Sequence, residues 1–371
     1  MTVLVSGASF AGLSTAYWMK RRGYDVTVVE TAKALRTGGT AVNIEGRTVD
    51  IAERMGILEQ IRESRLNLER WDYKNAADVT EGSMVLRPEG APPTEDNLEV
   101  ERNTLLGLLF ELVENDVEFV FDDGITALSE MREGVDVVFR SGLKRSFALV
   151  FGCDGVRSTV RRLWFGPDVE YIHFLEQYFS ITIVDKSLIR PNTAQMFNVP
   201  CKAVMLNAYK DKTDIVFCFV SEQEIPYDHR NEAEQRRIIS EQFAGVGWRT
   251  TELLAEVARS KSFYFDKLCQ VKMPSWSRGR VALVGDAAYC ASPAAGKGGS
   301  LALDGAAALA DALQKHPDNF ELAFAEYDAS FRPYIEQVQA EAVRFGLEGL
   351  CPRTEAAIRE RNSLQSAPFE S

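Results

Sequence analysis

A chain of 371 residues is long enough for more than one packing core, since single cores stop growing near roughly 250–300 residues. Its 46% hydrophobic and 26% charged residues are the balance of an ordinary folded protein and exclude a disordered one. A formal net charge of −12 disfavours nucleic acid and anionic membranes as partners, because those surfaces are themselves negative.

No apolar run approaches the roughly 20 residues needed to span a bilayer, so no integral membrane segment is expected. The six cysteines (Cys153, Cys201, Cys218, Cys269, Cys290, Cys351) are scattered and form no CxxC pair, and the three histidines are far apart. Neither a zinc site nor a disulfide framework fits that pattern, and a cytoplasmic setting is expected. With a strand read from Thr2, no cleavable signal is expected.

In chain order, Thr2 to Ser6 reads as a short buried strand, Ala11 to Arg22 as a helix and Tyr24 to Val29 as a second buried strand. Thr31 to Arg47 is polar and Gly-containing and reads as a loop, followed by helix from Thr48 to Arg65 with a break at Gly56. Leu68 to Val100 carries strand signals broken by the Pro- and Gly-rich stretch Arg87 to Pro93. Glu101 to Asn115 is an amphipathic helix with Leu105, Leu108, Leu109 and Leu112 at helical spacing. Strands follow at 118–121, 135–140 and 146–151.

From Glu170 to Val271, aromatic and β-branched runs such as YFSITIV and DIVFCFV predict a mainly antiparallel sheet, interrupted by helices at 232–243 and 250–260. A strand at 280–284, a Gly-rich loop at 285–299 and helices at 300–314 and 319–347 complete the pattern. A polar tail after Arg361 is expected to fray. The order predicts an α/β fold: a discontinuous Rossmann-type domain (1–70, 98–168, 272–347), an inserted substrate sheet (71–97, 169–271), and a C-terminal helix and tail (348–371).

Three segments carry chemistry. In VLVSGASFAG, the residues Gly7, Ser9 and Gly12 occupy the three positions of a G-x-G-x-x-G turn between strand and helix. The first glycine makes the turn, the middle position must be small beside a pyrophosphate, and the third lets helix and strand approach. The helix points its free amides at the phosphates. Glu30 at the end of the second strand is placed to accept a ribose diol. The second segment, FGCDGVRSTVRR, is a strand ending at Asp154 and Gly155 before a basic helix start. The third begins at Gly279 and delivers Gly285 and Asp286, then Pro293 and Gly296, Gly298 and Gly299, ahead of a long helix.

With these three motifs in this order, the chain resembles the class A flavoprotein monooxygenases, the family of para-hydroxybenzoate hydroxylase and the tetracycline-inactivating monooxygenases. The resemblance runs from Thr2 to about Gly346. It implies FAD as cofactor, NADPH or NADH as co-substrate, and O2. One oxygen atom would enter an aromatic or polyketide-like small molecule by way of a flavin C(4a)-hydroperoxide. It further implies that Gly7, Ser9, Gly12 and Glu30 hold pyrophosphate and ribose, that Arg102 contacts FAD, and that Asp154 and Gly155 serve flavin and pyridine nucleotide. Asp286 would hold the ribityl chain, with Pro293 and Gly296 to Gly299 beside the isoalloxazine ring. Arg36, Thr40 and Arg47 lie on the loop that approaches the flavin in relatives, which makes Arg47 a candidate substrate or flavin contact.

The chain departs from the family pattern at Tyr289, usually His, at Lys297, commonly Gln, and at Ser300, usually Asn or Thr. Lys297 could add charge at the flavin edge or point to solvent. Arg157, Arg161 and Arg162 could guide nucleotide phosphates or form a solvated helix start. Of Tyr171, His173, Phe174, Tyr178, Phe179, Phe197 and Phe219, alternation turns about half away from any pocket, so core packing accounts for most. Trp276 reads as packing and His173 as structural. Two other functions share such a fold: a dehydrogenase resembling the geranylgeranyl reductases, and a non-catalytic protein resembling the GDP-dissociation inhibitors.

Overall fold

Thr2–Ser6 (β1) and Asp25–Glu30 (β2) are β-branched runs buried along almost their whole length, as strands covered on both faces must be. In the computed structural model, which describes residues 1–88 and 95–363, they pair in parallel. β1 pairs on its other side with Leu149–Gly152 (β12), and β12 with Val281–Leu283 (β19), again in parallel. Glu118–Phe121 (β8) and Ser277–Arg278 (β18) close the edges, giving the order β18-β19-β12-β1-β2-β8. The crossover helix Phe10–Arg21 (α1) is buried from Phe10 to Met19, because Gly298–Lys315 (α9) packs on it and Phe320–Glu341 (α10) packs on α9.

Two small sheets flank this core. Val42–Glu45 (β3), Arg65–Leu66 (β4) and Asn97–Val100 (β7) form one. The stretch 31–47 is therefore not all loop: Val42 and Ile44 alternate inward, a two-residue signal too short to stand out among glycines. Ile125–Glu130 (β9), Val135–Phe139 (β10) and Lys144–Phe147 (β11) form the other. The single strand expected at 146–151 is thus two, divided at Ala148, where the chain passes from an antiparallel hairpin into the parallel sheet. The Ala148 amide donates to the Thr2 carbonyl at 2.9 Å.

The predicted break at Gly56 falls between Arg47–Met55 (α2) and Leu58–Ser64 (α3), and Gly56 ends α2 in the left-handed region with φ +77°. The helix expected at 101–115 is shorter, Arg102–Glu111 (α4).

Arg70–Lys74 (β5), Thr80–Val85 (β6), Ile172–Val184 (β13), Thr193–Val199 (β14), Lys202–Tyr209 (β15), Lys212–Val220 (β16) and Phe263–Val271 (β17) build a seven-stranded sheet, ordered β17-β13-β16-β15-β14-β5-β6. Every pairing in it is antiparallel except β14 with β5. Its two faces have different jobs. Tyr178, Phe197, Phe217 and Phe219 form a back core with Ile239 and Phe243 of Glu232–Gln242 (α6) and its neighbour, and with Leu253 of Thr250–Arg259 (α7). Phe179, Ile181, Met196 and Val216 form the front, which packs toward Ala294 and Leu347 of the first unit.

Of the aromatic set read from sequence, Tyr178, Phe197 and Phe219 are back-core residues, Phe174 packs against them, and His173 is exposed. Phe179 alone of that set joins the front cluster. At the C-terminus, α10 continues through a π-helical segment Ala342–Gly346 into Leu347–Leu350 (α11), and Glu355–Ser363 (α12) lies on β6 and β14. Arg361 donates to the Asn198 Oδ1 at 2.8 Å, and Asn362 and Ser363, the first residues of the tail expected to fray, are instead the last two of α12, with Asn362 buried. The rest of that tail, from 364, and most of the Pro/Gly-rich stretch lie outside the described residues.

Candidate functional site

The N-terminal turn is built as glycine demands. Gly7 sits at φ +103°, and a Cβ there would lie 2.6 Å from the Cys153 carbonyl oxygen. A Cβ on Gly12 would lie 1.8 Å from the Gly7 carbonyl oxygen, so any side chain forces strand and helix apart. Ser9 stands at the N-cap of α1 in extended backbone, and its Oγ accepts from Arg102 Nη2 at 3.3 Å. Arg102 stacks over the Phe10 ring at 4.8 Å, and burial there pushes its pKa down while Tyr264 and Asp286 oppose. Glu30 closes the pocket: Oε2 accepts the Ala8 amide at 2.9 Å and Oε1 the Ala32 amide at 2.8 Å. Arg36 reaches Glu30 Oε1 at 3.4 Å from an exposed position.

Asp154 shapes the second loop. It accepts from the Ser158 hydroxyl and from the Thr159 and Val160 amides at 2.8 and 3.1 Å, capping Thr159–Trp164 (α5), while Gly155 turns at φ +79°. Burial pushes the Asp154 pKa up against those hydrogen bonds.

Asp286 opens the third segment at the start of Asp286–Tyr289 (α8) and is exposed. Desolvation by the surrounding protein pushes its pKa up, with Cys290 and Arg102 pulling the other way. A Cβ on Gly285 would lie 2.8 Å from the Ala11 Cβ, so this strand end rests on the first turn of α1. The loop is not irregular throughout, since α8 and a 3-10 turn Pro293–Ala295 occupy it, and α9 starts at Gly298. Strand β3 clamps it: Ser300 Oγ donates to the Asn43 carbonyl, and a Cβ on Gly299 would lie 2.2 Å from Val42 Cγ1. Lys297 Nζ is 2.7 Å from Glu45, so its ammonium serves that ion pair.

All three segments leave the same C-terminal edge of β1, β12 and β19, neighbours in one parallel sheet, where ligands of such sheets bind. The missing Cβ atoms at Gly7 and Gly12, the α1 amides, the Glu30 carboxylate and the exposed Asp286 carboxylate fit an FAD.

Several side chains do other work than the sequence implied. Tyr289 faces the core between Trp276, Tyr327 and Phe331, with its hydroxyl 3.1 Å from that of Tyr327. Trp276 packs there as expected. Arg161 is fully buried, donating to the Ala287 and Val156 carbonyls and to Asp168, so it neither guides a nucleotide nor meets solvent. Arg157 forms a two-pronged pair with Asp266, both contacts at 2.7 Å. Arg47 heads α2 and stacks over Tyr334 and Phe331 at 5.0 and 5.7 Å, lining a groove along α9.

Sequence reasoning missed Tyr264, which packs on Phe179 at 5.6 Å and donates to Asp266 at 3.0 Å, and it missed Ile181, Met205 and Trp71 of the front face. Strict alternation from Phe179 would have found Ile181.

The model of the FAD binding domain family matches residues 1–338, and the chain belongs to that family and to the class A flavoprotein monooxygenases. It is 33% identical to a flavin-dependent monooxygenase of an unknown prokaryotic organism, over 98% of this chain and 94% of the relative. A flavin-dependent monooxygenase of Legionella longbeachae is 32% identical, over 91% of this chain and 86% of the relative. The crystal structure of tetracycline destructase Tet(51) superposes with a TM-score of 0.86 at 33% identity, covering 97% of this chain and 94% of that one. No helix among the described residues is long and apolar enough to cross a membrane.

Proposed function

We propose that this FAD-dependent oxidoreductase takes electrons from NAD(P)H and inserts one atom of O2 into an aromatic or polyketide-like small molecule. One observation carries the reading. The Gly-rich flavin loop, through Ala294, packs toward an apolar sheet face of Phe179, Ile181, Met196, Met205 and Trp71, a surface suited to a flat organic molecule. Tet(51) is named for tetracycline, which supports a substrate of that kind.

Bound FAD supplies the redox and oxygen chemistry. The chain's own residues position and shield. The α1 amides and Glu30 would hold the cofactor's nucleotide end, Asp286 would offer a carboxylate to its ribityl hydroxyls, and the first amides of α9 would favour negative charge on the reduced ring. The front face excludes water from the oxygenation site. Six free cysteines support a reducing, cytoplasmic setting.

The test is NAD(P)H oxidation by the holoenzyme with and without phenols and aromatic polyketides, tetracycline included, with O2 uptake followed in parallel. The reading requires that a substrate accelerates both together. Substrate-dependent flavin turnover without O2 uptake would favour a dehydrogenase instead.

A further inference from the structure

A cleft of about 580 Å³ opens between the loop at 37–39, the start of α4, the end of β13 and the turn after α7. That volume is within the roughly 300–1,000 Å³ of ligand and cofactor sites. Its inner wall adjoins the FAD site. Gly39, at φ +94°, lies on Arg102, where a Cβ would come within 2.8 Å of Arg102 Cδ, and the Gly38 amide donates to Asn103 Oδ1 at 2.9 Å. Arg102 is the residue that reaches Ser9 of the N-terminal turn.

The lining is cationic in a chain of net charge −12: Arg102, Lys186, Lys212, Arg259 and Lys261 face three carboxylates, Glu101, Asp185 and Glu256. Glu256 is shared by Lys186 at 3.0 Å and Arg259 at 2.6 Å. Glu101 is likewise shared by Lys210 and Lys212. Each of these carboxylates offsets only one of two cations, and a concave wall concentrates the positive remainder. Tyr209 is the one aromatic ring in the lining, so the cleft suits phosphate better than the apolar molecule for which the front face is built. Among the described residues, one parallel sheet carries one Gly-rich nucleotide turn, and that turn belongs to FAD.

We infer that this cleft docks the diphosphate of the nicotinamide dinucleotide, with its nicotinamide end toward Arg102. The inference rests on the reading that NAD(P)H is the reductant. It is tested on the holoenzyme by calorimetric titration with NADP+ and NAD+ and by anaerobic bleaching of the flavin with NADPH and NADH. The double variant K186E/K261E weakens dinucleotide binding about ten-fold or more, and wild-type affinity falls as salt is added. Flavin absorbance and the KM for the organic substrate stay as in wild type. K144E, at an exposed residue of β11 outside the cleft lining, binds as wild type does.

K261E alone alters an exposed side chain and keeps the test open if loss of the Lys186–Glu256 pair destabilises the double variant. Unchanged dinucleotide affinity, or a raised KM for the organic substrate instead, overturns the assignment. If neither dinucleotide bleaches the wild-type flavin, the reading of the reductant fails first. Bleaching that is equal in wild type and variants sinks the docking site alone.

Discussion

At the scale of single residues, the N-terminal turn makes a graded prediction. Gly12→Ala places a methyl where the Gly7 carbonyl stands, so the purified variant is expected to lack flavin absorbance. Ser9→Gly keeps the small middle position and loses only the Arg102 contact at 3.3 Å, so it stays yellow and loses only a little FAD affinity. Equal colour in both variants would contradict the account.

Two buried carboxyls make a second prediction. Burial raises Asp304 to about 7, with Thr48 donating to Oδ1 at 2.8 Å and Oδ2 without a partner among the described residues. Burial raises Asp214 likewise to about 7, beside the Tyr209 hydroxyl at 2.8 Å. Their ordinary value is 3.8, so the fold holds more protons than the unfolded chain between about pH 4 and 7, and stability is lost as pH rises through that window. Asp304→Asn removes the loss while still accepting from Thr48. Its Tm should exceed the wild type's by a few degrees at pH 8, with a smaller gap at pH 5. A gap independent of pH would count against it.

Gly7 and Gly12 were legible in sequence because backbone geometry dictates them, and Glu30 because its carboxylate ends the second strand. Tyr289 and Arg161 were not, because a motif does not say which way its neighbours pack.

At the scale of elements, α5 is anchored by Arg161. Arg161→Met strands two carbonyls and Asp168, and should cost about 3–5 kcal/mol in urea unfolding. Arg162→Met, on a half-exposed side chain in the same pair, should cost about 1 kcal/mol or less. Equal losses would mean that the basic helix start is a solvated face after all.

Long buried strands and long helices were readable from pattern, among them β1, β2, β13 and α9. The elements missed were short ones. β3 shows two inward residues, and the β11–β12 break is a change of partner at Ala148 that side-chain pattern does not record. The flavin loop's clamp was missed with β3, since Asn43, Val42 and Glu45 supply it.

At the scale of the whole molecule, the Gly-rich loop meets the seven-stranded sheet through Ala294, and that sheet packs differently on its two faces. Tyr178 is fully buried in the back core, so Tyr178→Ala should cost about 3–5 kcal/mol. Phe179, its neighbour, lies on the front beside Tyr264, so Phe179→Ala should chiefly raise the KM for the organic substrate. Unfolding curves and steady-state kinetics on both variants check that split, and identical behaviour would deny it. The front face was half legible: alternation divides the strands, but only the register with neighbouring strands shows which half meets the flavin loop.

The most direct test of oxygen insertion is mass spectrometry of the product formed under 18O2 with NAD(P)H and an accepted aromatic substrate. The account predicts one labelled oxygen atom in each product molecule. An oxidised product free of label, or label drawn from H218O instead, contradicts it.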